Sequence, residues 1–285
     1  MQVPAAFQYR KATTVEHALT LLAEYGPDSM IVAGGHSLLP MMKLRLAHPE
    51  ALVDINDLDE LAGVRVDGDW LAVGAMTRHA ELLASAEAGR LFPILHDAER
   101  VIADPIVRNR GTVGGSLCQA DPSEDLSAVF AALRAVLVIR GPSGTRSVAA
   151  RDFFVGPYQT VVAPGELLAE IRVPLRSSVS AYVKVDRRAG DWAVGAAGAV
   201  LVVEGDVITE AGIGLTALGA PGFVAAEAEA FLAGGSPSEE RLVEAGRIAS
   251  RLCRPAADQR GPVEYKRHLA GELVTRALRR AMERI

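Results

Sequence analysis

The sequence predicts an α+β fold in two parts: mixed helices and strands to about residue 175, then a three-stranded sheet backed by helices. Three observations carry this prediction. Short apolar runs of strand type alternate with helically spaced ones as far as Pro174. The composition then changes at Ser177-Ser178-Val179-Ser180, which reads as a linker or entry turn. No Gly-x-Gly-x-x-Gly follows a first strand, which argues against a doubly wound dinucleotide fold.

Each element has its own signal. Ala18, Leu19, Leu22 and Ala23 have helical spacing over Val15–Tyr25, opened by Thr13-Thr14. Ser29–Ala33 reads as a short buried strand, and Leu52–Ile55 as another, closed by the Asn56-Asp57 turn. Trp70–Gly74 is a strand; Thr77–Ala84 begins a helix with Thr77 as its N-cap, and Phe92–Ala98 is a second helix. Gly141-Pro142-Ser143-Gly144 joins strands 136–140 and 146–149 as a hairpin, and strand 166–173 ends at Pro174. Beyond it come strands near 181–185, 195–203 and 208–216, then helices over about 222–232, 238–252 and 263–285. The arginines at 276, 279, 280 and 284 read as the solvated face of the last helix.

Composition narrows the function. The 285 residues are 49% hydrophobic, a globular value that allows two modest cores. Nothing reaches the roughly 18 uninterrupted apolar residues of a membrane span. The start, Met1 to Phe7, is neither basic nor long and apolar, so a signal peptide is not expected and a cytoplasmic location is. Net charge is −5, which argues against a nucleic-acid surface. Two cysteines, Cys118 and Cys253, cannot hold an iron–sulfur cluster or zinc within this chain. No Ser-His-Asp arrangement, metal-ligand spacing or phosphoryl-transfer loop is present, and no catalytic residue or metal ligand is assigned.

The chemistry lies in two small-residue loops, Val32-Ala33-Gly34-Gly35-His36-Ser37-Leu38 and Gly111-Thr112-Val113-Gly114-Gly115-Ser116. Glycine permits positive φ and close approach of a ligand, while successive N–H groups form an anion site and hydroxyls add donors. Together they suggest a clamp on a diphosphate-bearing cofactor, and a side chain introduced at Gly35 or Gly114 is expected to intrude on the diphosphate. Three roles stay open for His36: capping, phosphate donor or covalent flavin tether. After the second loop, Asp121 or Asp125 suits either a sugar hydroxyl or the cap of helix 126–133. Lys184 reads as a flavin-side cation or an exposed strand residue, and Trp192 as a flavin cover or a buried indole.

The segments Ala33–Arg45, Thr112–Ser116, Gly74–His79, Leu168 and Gln259–Tyr265 together resemble the FAD-binding (medium) subunits of molybdenum hydroxylases, a family including the medium subunit of aerobic carbon monoxide dehydrogenase and xanthine dehydrogenase flavoproteins. The likeness runs along essentially the whole chain. It implies a vanillyl-alcohol-oxidase (PCMH)-type FAD-binding domain over 1–175, in subdomains of about 1–57 and 58–175. A carbon monoxide dehydrogenase flavoprotein-type domain with a three-stranded antiparallel sheet would follow over 176–285. Carried over by position, residues 32–38 and 112–116 would cradle the diphosphate of non-covalent FAD, and Asp125 would hold a sugar or ribityl hydroxyl. Thr77, Leu168 and Lys184 would lie along the flavin. Molybdopterin would sit on a large partner subunit and two [2Fe-2S] clusters on a small one, in a dimer of heterotrimers. Ser116 departs from the family's frequent Asn, and Cys118 from a small inert residue. Two alternatives are a self-contained flavin oxidase or reductase of the same superfamily, tethered through His36 in the first case, and a non-catalytic flavin-binding module.

Overall fold

The computed structural model describes residues 3–285; Met1 and Gln2 of the expected first domain lie outside the described residues. Strands Gln8–Lys11, Ala51–Asp54 and Ser29–Val32 form a parallel sheet in that order. Parallel neighbours need a crossover, and helix Val15–Tyr25 supplies it, burying Val15, Ala18, Leu21 and Leu22. Thr14 caps the helix by accepting the His17 amide. Strand Ser29–Val32, expected to be buried, is instead the sheet edge, with Met30 41% exposed.

An antiparallel sheet of five follows, in the order Val64–Asp67, Trp70–Gly74, Leu167–Pro174, Val136–Gly141, Gly144–Ala149. Its central strand comes late in sequence and is inserted between two hairpins, so both sheet halves depend on Leu167–Pro174. Helices fill the excursion from Gly74 to Val136. The first of them spans His79–Ala84, and Arg78, not Thr77, is its N-cap: the Arg78 amide donates to Glu81 Oε2. Helix Leu126–Ala132 is buried on every face, which a surface apolar but for Ser127 permits. Gly212 and Gly214 admit it, since a Cβ there would lie 2.0 Å from Ala132 O and 2.1 Å from Ala128 O.

The third sheet is antiparallel: Val179–Val185, Gly195–Glu204, Val207–Thr216 and the two-residue strand Phe223–Val224. That short fourth strand takes the start of the helix expected from Gly222; the helix begins at Ala226 instead. Helices Glu239–Leu252 and Val263–Met282 complete the region. The last helix does not present all its arginines to solvent. Arg280 and Arg284 reach buried Asp97 at 2.9 and 2.8 Å, tying the C-terminus to helix Pro93–Val101. The largest core also crosses residue 175, joining Tyr182, Ala193, Ala196 and Val200 to Phe92, Leu95 and Phe130. Among the described residues no helix is long and apolar enough to cross a membrane, and no group of acidic, His and Cys side chains is placed to hold a metal.

Candidate functional site

A cleft of about 750 Å³ opens where the first and second sheets meet the loop that joins strands Val179–Val185 and Gly195–Glu204, a volume in the usual range of ligand sites. Its walls come from both glycine loops, from residues 158–168, and from Lys184 and Gly190-Asp191-Trp192.

The first loop leaves the strand edge at Val32 and enters the short helix Leu38–Lys43. Gly35 sits at φ +76°, where glycine alone is unstrained. The amides of Gly34, Gly35, His36 and Ser37 find no acceptor among the described residues. Consecutive free N–H groups around a positive-φ residue make an anion-binding concavity. His36 points its Nδ1 to Gly34 O at 3.2 Å.

The second loop differs. Val113 N donates to Thr77 O, Gly114 N to Ala75 O, Gly115 N to Thr112 Oγ1 and Ser116 N to Thr112 O. Thr112 thus caps the helix Val113–Gln119, and these amides are engaged inside the chain. A Cβ on Gly114 would lie 2.6 Å from Ala75 Cβ, so a side chain there meets the protein wall rather than the ligand space expected for it. What this loop gives the cleft is a close, side-chain-free wall at Gly111, Gly114 and Gly115.

A buried polar cluster forms the cleft floor. Glu124 accepts Ser116 Oγ at 3.0 Å and the amides of Leu126 and Ser127 at 2.9 and 2.6 Å. It therefore caps helix Leu126–Ala132, the task expected of Asp121 or Asp125; Asp125 makes no side-chain cap. Burial pushes the Glu124 carboxyl up to about 7. Asp125 accepts Tyr182 Oη at 2.6 Å and Lys184 Nζ at 2.9 Å. Burial raises its carboxyl, against the pull of the Lys184 ammonium. His79, beneath Gly111, has Nδ1 3.0 Å from fully buried Glu99. Burial disfavours its imidazolium, but the Glu99 carboxylate outweighs this and the His79 pKa rises.

The cleft brings together Ala33 to Leu38, Thr112, Gly114, Gly115, Ser116, Asp125, Leu168 and Lys184. Three of the sequence-derived residues do not line it. Val32 and Val113 are core residues. Thr77 is fully buried, its hydroxyl hydrogen-bonded with the amide and carbonyl of Gly63 at 3.0 Å. Trp192 lines the mouth and is 45% exposed, so it is no buried indole. Cys118 faces the cleft, where the surrounding protein pushes its thiol up to about 12, leaving it neutral. Sequence reasoning missed Glu124, His79, Glu99 and Tyr182. Glu124 stood beside the two aspartates considered, and its position two residues before the helix start was the available signal.

Residues 5–176 match the family described as FAD binding domain in molybdopterin dehydrogenase, and residues 180–281 match CO dehydrogenase flavoprotein C-terminal domain. The chain is 40% identical over 284 residues to the carbon monoxide dehydrogenase medium chain of Afipia carboxidovorans, covering 99% of each. It is 33% identical over 285 residues to caffeine dehydrogenase subunit beta of Pseudomonas sp. strain CBB1, covering 99% of this chain and 97% of that one. Among solved structures, a carbon monoxide dehydrogenase from Hydrogenophaga pseudoflava superposes with TM-score 0.96 at 41% identity, 99% of both chains being covered. Quinoline 2-oxidoreductase from Pseudomonas putida 86 gives 0.93 at 33% identity, over 99% and 98%.

Proposed function

This chain belongs to the family of FAD-binding medium subunits of molybdenum hydroxylases, and from that premise we propose that it is the electron-output subunit of a heterotrimer. In this reading it takes electrons from the [2Fe-2S] clusters of a small partner subunit and hands them to an external acceptor. The substrate is oxidised on a large molybdopterin subunit, and two such heterotrimers pair. FAD, when bound, would supply the redox chemistry that links the two sides, while the protein binds, orients and tunes it.

The observation that carries the proposal is the row of unpartnered amides at Gly34, Gly35, His36 and Ser37. They fit a diphosphate: their N–H groups supply donors, and the cleft wall opposite carries no side chain at Gly111, Gly114 and Gly115. Arg and Lys side chains leave this task to the backbone, for among the described residues Lys184 alone of them lines the cleft, and it is paired with Asp125. Leu168 and Lys184 lie on the wall available to the flavin, and Asp125 can accept a sugar hydroxyl only beside the donors it already holds. No side chain is assigned as a catalytic acid or base. Free thiols at Cys118 and Cys253 fit work in a reducing cytoplasm.

Mild native purification with analysis of flavin, iron and molybdenum tests the proposal. Co-purification with two further polypeptides carrying iron and molybdenum is the expected result. Flavin on this chain alone, with neither metal nor partner, would contradict it.

A further inference from the structure

Arg78 and Asn56 do not line the cleft, yet together they reach both of its glycine loops. Arg78 donates through one terminal nitrogen to Arg110 O at 2.6 Å, immediately before the second loop. Its other terminal nitrogen donates to Asn56 Oδ1 at 2.9 Å. Asn56 Nδ2 then donates to Ala33 O at 2.7 Å, in the first loop. The orientation of Asn56 is fixed, because Nδ2 and the backbone amide also donate to Asp54 Oδ1, at 2.6 and 2.8 Å. The two loops touch at the point the chain spans: a Cβ on Gly34 would lie 2.2 Å from Arg110 O.

We propose that Arg78 and Asn56 are positioning residues, a clamp that fixes the spacing of the two loops and so sets the affinity for the FAD diphosphate. The inference rests on the reading that this cleft holds FAD. The carbonyl of Ala33 immediately precedes the Gly34 amide, first of the four free donors, so holding Ala33 O aims that row. A planar guanidinium serves two acceptors at once, which a lysine ammonium on a single stem does not reproduce. Without the clamp, contact between the loops falls to close packing, at Gly34 against Arg110 and Gly111 and at Gly115 beside Ala33.

The test uses the full-length chain, stripped of flavin and titrated with FAD by fluorescence quenching. Arg78→Lys and Asn56→Ala should each weaken FAD about tenfold, the scale of one lost charge-assisted or buried hydrogen bond. The double variant should be no weaker than the worse single one, because both changes break the same chain. Asn56→Asp keeps the acceptor for Arg78 and removes the donor to Ala33, so it should match Asn56→Ala. In Arg78→Lys, the two phosphorus NMR resonances of bound FAD should move while the visible absorption of the flavin stays. Additive losses, unchanged affinity or unmoved phosphorus resonances would overturn the clamp while leaving the FAD site standing. Failure of the unmutated chain to bind FAD would overturn the site reading itself, and the clamp with it.

Discussion

The Lys184 ammonium lies 2.9 Å from the Asp125 carboxylate, with both side chains nearly sealed from solvent. The ammonium also donates to Val101 O at 3.1 Å, and the carboxylate accepts Tyr182 Oη at 2.6 Å. These contacts cross from helix Pro93–Val101 to strand Val179–Val185. The pair therefore fastens the third sheet to the cleft floor, and Lys184 meets the cleft as a neutralised cation.

Removing one partner of this pair leaves the other charge buried and alone, a loss of about 3–5 kcal/mol. Asp125→Asn and Lys184→Met should each lower the urea midpoint of the flavin-free chain accordingly. The double variant should recover much of the loss. Equal, additive losses in urea titrations would mean that the pair carries no coupling.

The Gly34 position predicts a different failure. Its added Cβ meets backbone atoms only, 2.2 Å from Arg110 O and 2.9 Å from Gly111 Cα, and neither can rotate away. Gly34→Ala should force the loops apart and cost about 1–3 kcal/mol of stability, with loss of FAD binding. At Gly35 the neighbour is the flexible Leu39 side chain at 3.0 Å, and the φ of +76° is the obstacle. Gly35→Asn, which tolerates that region, should retain more FAD than Gly35→Val. Equal retention in flavin-content assays would count against this account.

Much of this was legible in the sequence because it is local. Thr14 before a helically spaced run, the Gly141–Gly144 turn and the strand ending at Pro174 all appear where the chain alone placed them. The first glycine loop was readable for the same reason. What was hidden is long-range. Arg280 and Arg284 look like a solvated stripe until the fold brings Asp97 beneath them. The second glycine pair looks like a second anion cradle until Thr77, Ala75 and Thr112 take up its amides. Thr77 reads as a helix cap, but Gly63 from the neighbouring hairpin claims its hydroxyl. Apart from the local Thr112 cap, a residue distant in sequence decides the partner in each case.

Glu124 gives the flavin-free chain a pH dependence with a definite sign. Its folded carboxyl stands near 7, above its ordinary 4.5. The folded state thus holds a proton that the unfolded chain has released, and stability falls as pH rises from about 4.5 towards 7, by up to about 3 kcal/mol. Thermal melting should show this slope in the wild type and a flatter one in Glu124→Gln. Parallel slopes for the two proteins would rule out Glu124 as the source.

The cleft offers a diphosphate amides rather than free cations. FAD affinity should therefore change little between about 50 and 500 mM salt, where exposed ion pairs are screened. A steep fall in titrations across that range would point to contacts from lysine or arginine side chains other than the paired Lys184 of the cleft lining.

The most direct measurement is to titrate the flavin-free full-length chain with FAD and then precipitate it with acid. Uptake of one FAD per chain and its complete return to the supernatant are expected. No uptake would contradict the cleft as a flavin site, and flavin left in the protein pellet would contradict non-covalent binding and point to a tether at His36.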